Sequence, residues 1–176
     1  QYFWTKDNML TDAITVPVTY LDNIIEKNDL WVYVYNFIYY LIFGFIIVSI
    51  KSYKHFAIIV IGAMVLMSGL TAIWYTIPNI VPERMKTNKY YLSKTQKIDN
   101  NKNNACPSAH VVFAMYSYYL LRGVIGEFYA SLIPIMISIS CIKTSQHVVL
   151  DILSGIVYTF IVYNFVLKKV RPTIFT

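Results

Sequence analysis

Long apolar stretches alternate with short polar segments along most of the chain. About 20 apolar residues in a helix cross the ~30 Å hydrocarbon core of a bilayer. The stretches that meet or approach this length are residues 30–50, 56–77, 107–121, 128–142 and 147–167. The first two contain no Asp, Glu, Lys or Arg. The pattern predicts an all-α fold, a polytopic transmembrane helix bundle of five spans formed by residues 30–176.

The first 29 residues have a different pattern and form a separate N-terminal segment. Apolar and charged positions there follow helical spacing, with Leu21, Ile24 and Ile25 on one side and Asp22, Glu26 and Lys27 on the other. Pro17 suits a position at or before the start of such a helix. We expect a short helix lying in the membrane interface. The alternative is a mobile tail that touches the membrane.

The second stretch contains small residues at Gly62, Ala63, Ser68, Gly69 and Ala72. Small residues let neighbouring membrane helices approach closely. We therefore expect this helix to pack tightly against others in the bundle.

Five spans divide the polar segments between two membrane faces. Face A holds residues 51–54, 122–127 and the C-terminal tail, and face B holds the N-terminal segment, residues 77–106 and residues 143–146. Face A carries six Lys or Arg in short segments, and face B carries nine in longer ones. Positive charge favours the cytoplasmic side. The number of basic residues favours face B as cytoplasmic, whereas their density next to the span ends favours face A. A sixth span upstream of Gln1 would place both chain ends on face A.

Composition supports a membrane protein and argues against nucleic acid as a partner. Hydrophobic residues make up 57% of the chain and charged residues only 14%, which leaves too little polar surface for a soluble domain. The net charge of +6 comes from basic residues at the ends of apolar stretches, where anionic lipid headgroups would meet them. The two cysteines, Cys106 and Cys141, do not form a metal-binding spacing, and we expect no metal site.

Two histidines and an aspartate are the strongest chemical candidates on face B. His147 and Asp151 are four residues apart and would share one face of a helix. Asp151 could then fix the imidazole tautomer and leave the other ring nitrogen as a nucleophile. The alternative is an Asp–His pair that only holds two helices together.

Ser108, Ala109 and His110 follow Pro107, a residue that suits the first turn of a helix. Backbone amides at a helix N-terminus form an anion site, and the Ser108 hydroxyl could donate to a phosphate oxygen. His110 could protonate a leaving alkoxide as a general acid. Taken alone, a histidine at a helix start is more often a satisfied polar residue.

Arg84 and Lys143 are the candidate groups for binding the phosphate charge. Lys143 could equally anchor the fourth span at the interface. The lysines at positions 86, 89, 94, 97 and 102 form a solvated face, or else attract anionic lipid.

These residues resemble the type 2 phosphatidic acid phosphatase superfamily, whose patterns are K-x6-R-P, P-S-G-H and S-R-x5-H-x3-D. The second pattern is matched at residues 107–110, with Ala109 in place of glycine, and Arg84 is the counterpart of the first-pattern arginine. The third is matched by Ser140, His147 and Asp151, with Cys141 in place of arginine. The Thr-x-Gln-His-x3-Asp form of the third pattern resembles the branch of inositol phosphorylceramide synthase-like proteins.

The resemblance implies a role for each residue in a phosphatase-like domain over residues 30–176. His147 would form a phosphohistidine, Asp151 would orient it, and His110 would act as general acid and then as general base. The phosphoryl oxygens would be held by Arg84, Ser108 and the amides near Ala109, with Lys143 partly replacing the missing arginine. No cofactor or metal would be needed.

The resemblance also implies six spans with the active site on the extracytoplasmic face, so that face B lies outside. A disulfide between Cys106 and Cys141 is then conceivable on that side, although two free thiols are the default.

Three functions remain open from the sequence. The first is an integral-membrane enzyme that hydrolyses a lipid phosphate or pyrophosphate. The second is a phosphotransferase that passes a phosphoryl-alcohol headgroup to a lipid acceptor, and the third is a non-catalytic membrane protein. Oligomeric state is not predicted.

Overall fold

A computed structural model of the chain describes residues 12–80 and 104–168. Most of these residues are helical. The α-helices are α1 (Tyr20–Ile24), α2 (Trp31–Ser49), α3 (Tyr53–Thr76), α4 (Ala109–Ile125), α5 (Glu127–Lys143) and α6 (Val149–Val162), which continues as a π-helical turn over Tyr163–Leu167. Two short strands, β1 (Ile14–Thr15) and β2 (Asn79–Ile80), pair in parallel.

The helix boundaries follow from local chemistry. The Ser52 hydroxyl caps α3 by accepting the His55 N–H at 3.2 Å, and Pro78 follows shortly after the helix ends. Gly126 separates α4 from α5 with a φ of 86°, a left-handed conformation that glycine adopts without strain. The resulting sharp reversal makes α4 and α5 a hairpin.

Each of the five predicted spans coincides with a helix or most of one. Two helical stretches, Tyr53–Thr76 and Val149–Leu167, are long and apolar enough to cross a membrane, and the apolar part of α2 over Trp31–Ile47 is shorter. The helices α4 and α5 have 17 residues each. The number of spans therefore stays a prediction, whereas the helical class is confirmed.

Helix α4 is the centre of the bundle, because it packs against α2, α3, α5 and α6. Its fully buried side chains include Val111, Ala114 and Leu121, which pack with Ile137 of α5. The N-terminus of α4, where Ser108 and His110 lie, is therefore held by several helices at once.

The N-terminal segment docks onto one end of the bundle. Strand β1 pairs with β2, and Asn79 bridges to Asn104, so the fold is not purely helical. The Asn28 N–H donates to the Lys143 carbonyl at 2.9 Å. The described parts of face B thus meet at one end of the bundle.

A short helix is present where the sequence predicts an interfacial one, its position in the membrane interface stays a prediction, and Asp22 on its polar face is not exposed. Helix α1 has five residues. The side chain of Asp22 is only 4% exposed, whereas those of Leu21 and Ile24 are about half exposed. The assignment of Asp22 to a charged outer face was therefore wrong, because its carboxylate forms hydrogen bonds at two helix starts.

Two tyrosine hydroxyls from neighbouring helices pack against glycines of α3. This contact confirms that small residues on α3 let other helices approach closely. Tyr116 of α4 donates to the Ile59 carbonyl at 3.1 Å beside Gly62, and Tyr158 of α6 donates to the Leu66 carbonyl at 2.7 Å beside Gly69. A methyl group at either glycine would overlap the hydroxyl.

We expect Gly62→Ala and Gly69→Ala each to destabilise the protein by about 1–3 kcal/mol, because the tyrosine must move and lose its hydrogen bond. Gly44→Ala is the matched control, since nothing lies near the added methyl group. Thermal unfolding in detergent measures the effect. Equal melting temperatures for the three variants would contradict this packing.

Candidate active site

The turn between α5 and α6 positions His147. Helix α5 ends in a Schellman motif, in which the Gln146 N–H donates to the Cys141 carbonyl at 2.9 Å and the Ser145 N–H donates to the Ile142 carbonyl at 3.0 Å. Ser145 has a φ of 54°, the left-handed conformation that this motif requires. The His147 N–H also donates to the Cys141 carbonyl, at 3.3 Å. The backbone around His147 is therefore fixed by the end of α5.

Substitutions of Ser145 test this turn. Because glycine adopts the left-handed conformation freely, we expect Ser145→Gly to retain or raise stability by up to about 1 kcal/mol. Ser145→Val should lower stability by about 1–3 kcal/mol, since a β-branched residue is strained there. Comparison of the two melting temperatures measures the difference. A Val variant as stable as the Gly variant would contradict the required turn geometry.

Asp151 and His147 are in contact, but not in the way that their spacing predicted. Helix α6 begins at Val149, so His147 lies in the preceding turn rather than on the helix. Asp151 is in the first turn, and its Oδ2 accepts the Val148 N–H at 3.0 Å and faces the His147 Nδ1 at 3.1 Å. One buried carboxylate oxygen therefore caps the helix and holds the imidazole. With the proton on Nδ1, the Nε2 of His147 carries a lone pair.

His110 lies directly opposite that nitrogen. The His110 Nδ1 is 3.3 Å from the His147 Nε2, and the two ring centroids are 5.4 Å apart. On its other side His110 contacts Tyr35, whose hydroxyl is 2.5 Å from Nε2 and 3.1 Å from Nδ1. The structure thus forms a continuous row of Tyr35, His110, His147 and Asp151.

The N-terminus of α4 lies against α6. Ser108 is the N-cap residue of α4, and its N–H donates to the Asp151 backbone carbonyl at 3.0 Å. Gly155 permits this approach, because a methyl group there would lie 3.1 Å from the Ser108 carbonyl oxygen. Ala109 begins the helix, where the first amides have no acceptor within the helix. The Ser108 hydroxyl and Asp151 Oδ1 are buried without a hydrogen-bond partner.

Asp22 joins the N-terminal segment to the start of α6. This contact was not predicted from the sequence. Its Oδ1 accepts the Val149 N–H at 2.8 Å, at the start of α6. Its Oδ2 accepts both the N–H and the hydroxyl of Thr19, at 2.8 and 2.7 Å. The Thr-x-x-Asp spacing from residue 19 is a capping-box signal that the sequence contained.

Asn79 holds the chain ahead of Ser108. Its Nδ2 donates to the Cys106 carbonyl at 2.6 Å, and its Oδ1 accepts the Cys106 N–H. Cys106 and Cys141 are not joined in a disulfide. Cys106 Sγ lies 3.1 Å from the Ser154 hydroxyl, and burial raises the pKa of the Cys106 thiol. Cys141 is completely buried in the apolar core of α5.

Of the two cations predicted to bind phosphate, Lys143 lies in the described residues and contacts the N-terminal segment. Lys143 Nζ donates to the Glu26 carbonyl at 3.2 Å and lies 5.9 Å from the centre of the Trp31 ring. Lys27 Nζ donates to the Ile142 carbonyl at 3.2 Å. Partial burial lowers the pKa of Lys27, which the Asp22 carboxylate opposes and the Lys143 charge reinforces. Arg84 and the loop lysines lie outside the described residues, and the phosphate-binding roles stay predictions.

An apolar cavity of about 970 Å³ opens beside His110, between α2, α3 and α4. At the end nearest the histidines it is lined by Tyr35, Ala109 and His110, and at the far end by Ile50, Phe56 and Leu120. Leu120 is ten residues beyond His110 on α4, which corresponds to about 15 Å along the helix. Phe43 and Met64, on facing sides of the cavity, are more than 60% exposed.

No group of three or more His, Cys, Asp and Glu side chains that could hold a metal ion occurs in residues 12–80 and 104–168. These residues form a bundle of apolar helices in which His147 contacts the Asp151 carboxylate and faces His110. These features define a membrane-associated protein with a candidate nucleophile and a candidate proton donor.

A family model described as the PAP2 superfamily matches residues 21–165. The chain therefore belongs to the PAP2 superfamily, the family of the type 2 phosphatidic acid phosphatases, as its sequence patterns predict. Membership indicates phosphatase or phosphotransferase activity. A search of the curated proteins and a search of the solved structures found no significant match.

Proposed function

We propose that this protein is an integral-membrane lipid phosphatase that hydrolyses a lipid phosphate or pyrophosphate through a phosphohistidine on His147. The observation that carries the proposal is the row of contacts from His110 through His147 to Asp151. A buried carboxylate on Nδ1 leaves Nε2 as the nucleophile, and that nitrogen faces a second histidine suited to proton transfer.

The first chemical step transfers the phosphoryl group to the enzyme. The phosphoryl group enters between the two rings and replaces their 3.3 Å contact. The His147 Nε2 lone pair forms a bond to phosphorus, the bond from phosphorus to the leaving oxygen breaks, and protonated His110 gives its Nδ1 proton to that oxygen. Asp151 stabilises the positive charge that develops on the His147 ring.

The second step releases the phosphate. His110, now neutral, takes a proton from a water molecule, and the water oxygen bonds to phosphorus. The phosphorus–nitrogen bond breaks, and its electron pair returns to His147 Nε2. Inorganic phosphate leaves, with both histidines back in their starting protonation states. No metal ion is required on this route.

The apolar cavity supports a lipid substrate. It begins at His110 and is lined mainly by apolar side chains, so a hydrocarbon chain within it would bring a terminal phosphate to the histidines. Phe43 and Met64 line the cavity and are exposed, so lipid could enter between them from the membrane. A cavity of this size is large enough to enclose most of a long-chain ligand.

The remaining parts of the proposal concern binding and topology. Ser108, the amide of Ala109, Arg84 and Lys143 hold the phosphoryl oxygens. The chain crosses the membrane five times, with residues 1–29 in the interface and the histidines on the extracytoplasmic face. Membrane lipids surround the bundle.

The second candidate is a phosphotransferase in which a lipid hydroxyl replaces water in the second step. The favouring observation is the Thr144-x-Gln146-His147 sequence, which resembles the inositol phosphorylceramide synthase-like branch. Thr144 and Gln146 are both completely buried beside His147. The same histidines would act in both reactions.

Purified protein incubated with radiolabelled lipid phosphates, with and without lipid alcohols, distinguishes these reactions. Release of inorganic phosphate supports the hydrolase, and a new labelled phosphodiester from a headgroup donor supports the transferase. Absence of both would favour a non-catalytic membrane protein. Turnover should persist in excess metal chelator, and strong inhibition by the chelator would contradict the metal-independent route.

A further inference from the structure

Asn79 joins the end of α3 to the chain that leads into α4. It lies three residues beyond the end of α3 at Thr76, and it is only 4% exposed. The Asn79 Nδ2 donates to the Cys106 carbonyl at 2.6 Å, and the Asn79 Oδ1 accepts the Cys106 N–H. The same Nδ2 donates to the Ile77 carbonyl at 2.9 Å. One buried amide therefore holds both backbone groups of Cys106 against the end of α3.

Backbone and apolar contacts hold the neighbouring chain in the same place. The Ala105 N–H donates to the Asn79 carbonyl at 3.2 Å, and Ala105 packs against Val148, the residue after His147. Asn79 also pairs with Ile14 of β1. The chain ahead of α4 therefore contacts the end of α3, the N-terminal segment and the turn that carries His147.

The first turn of α4 depends on these contacts, because a helix end has few hydrogen bonds of its own. The first four N–H groups of a helix have no acceptor within it, and helix ends fray. His110 lies in this first turn, four residues after Cys106. A second attachment is the Ser108 N–H, which donates to the Asp151 backbone carbonyl at 3.0 Å. The start of α4 is thus tied to α3 by Asn79 and to α6 by Asp151.

We infer that Asn79 is a positioning residue for His110, an inference that rests on the proposed phosphohistidine mechanism. Asn79 acts through the backbone of Cys106 and holds the first turn of α4 where His110 Nδ1 faces His147 Nε2 at 3.3 Å. Without the side-chain amide, Cys106 loses two hydrogen bonds, and the first turn can shift while the rest of α4 stays packed. A displacement of about 1 Å at a reacting group can cost about 10²-fold in rate.

Leaving-group dependence separates this role from a purely structural one. An alkoxide is a strong base and needs protonation as it leaves, whereas a nitrophenolate does not. In single turnovers of dodecyl phosphate, we expect Asn79→Ala to slow release of the alcohol about 10- to 100-fold. With a nitrophenyl phosphate carrying the same dodecyl chain, we expect a loss of less than about threefold. Rates are compared per folded molecule, well below the melting temperature of the variant.

A His110→Ala background tests whether the effect passes through His110. Asn79→Ala should add less than about threefold to the loss in that background, because the two residues act as one unit. Asn79→Asp is the second variant, since it keeps the size of the side chain and an acceptor oxygen but lacks the N–H donors. It keeps the test available if Asn79→Ala does not fold, and we expect the same larger loss on dodecyl phosphate.

Asn104→Ala is the matched control. Asn104 is also 4% exposed, and its backbone bridges to Asn79. Within the described parts of the chain, the Asn104 Nδ2 has no hydrogen-bond partner. We expect both rates to stay within about threefold of the wild type, because the change removes a buried amide without breaking the contacts to Cys106. A loss as large as that of Asn79→Ala would overturn the role of Asn79.

The outcomes distinguish this inference from the proposed function. Failure of the wild-type protein to release phosphate from either substrate overturns the proposed function, and the inference fails with it. In an active wild type, equal losses on both substrates in the Asn79 variants overturn only the role of Asn79. Wild-type rates for Asn79→Ala, or a full additional loss in the His110→Ala background, would do the same.

Discussion

His147→Ala should reduce phosphate release by about 10⁴- to 10⁶-fold, the range seen when a catalytic nucleophile is removed. The reason is that, in the proposed mechanism, His147 Nε2 is the atom that bonds to phosphorus, so the substitution removes the nucleophile. The fold should be retained, because the turn is fixed by backbone hydrogen bonds to the Cys141 carbonyl. Initial rates of phosphate release, with folding checked by melting temperature, measure the effect.

The chain offers its own control for this substitution. His55 is the remaining histidine, at the start of α3, where its backbone N–H bonds to Ser52. We expect His55→Ala to leave turnover within about twofold of the wild type, since His55 is not part of the row formed by Tyr35, His110, His147 and Asp151. Equal rates for His147→Ala and the wild type would rule out catalysis by His147.

Asp151→Asn should lower kcat by about 10³- to 10⁴-fold, although the side chain keeps its shape. Because the same oxygen accepts the Val148 N–H and faces His147 Nδ1, the amide oxygen of the variant stays in that place and the histidine tautomer is kept. What the variant lacks is the negative charge that, in the proposed mechanism, stabilises the positive charge developing on the His147 ring. Single-turnover rates measure the chemical step directly.

Asp22→Asn is the matched control for that loss. Both carboxylates are almost fully buried and both accept an N–H at the start of α6, but within the described part of the chain the Asp22 carboxylate bonds to Thr19 and Val149 rather than to a histidine. We expect a fall in stability of about 1–3 kcal/mol and a fall in kcat of less than about tenfold. Losses of similar size in both variants would show that Asp151 acts only as a helix cap.

The helical class and the positions of the main helices could be predicted, because long apolar stretches bounded by charge or proline leave few alternatives. The helix starts could not be placed as well. Helix α6 begins at Val149 rather than at His147. The reason is the left-handed conformation of Ser145 in the preceding turn, which a serine in the sequence does not predict. Periodicity alone contains no information about that turn.

His110, His147 and Asp151, which the structure brings into contact, could be chosen as candidates from the sequence because their residue types and spacing are unusual in an apolar chain. Tyr35 could not be found in this way, as it is one of sixteen tyrosines and its partner is 75 residues away. Asp22 was placed on the wrong side of α1 because helical spacing cannot show which face a docked segment buries.

Cys141 stands where the third family pattern has an arginine, and the structure gives a reason for this difference. Its side chain is completely buried among apolar residues of α4 and α5, a place where an unpaired guanidinium would be costly. Lys143 is two residues further along, at the end of α5, and its Nζ reaches the Glu26 carbonyl. In the proposed function, the phosphate charge is therefore met by groups other than one at position 141.

Trapping of the covalent intermediate tests the central claim most directly. Protein mixed with a ³²P-labelled lipid phosphate is quenched within milliseconds at alkaline pH, digested and sequenced by mass spectrometry. We expect label on His147, stable in alkali and lost in acid, and absent from the His147→Ala variant. Rapid phosphate release by the wild type with no labelled protein, or with label on another residue, would contradict the account.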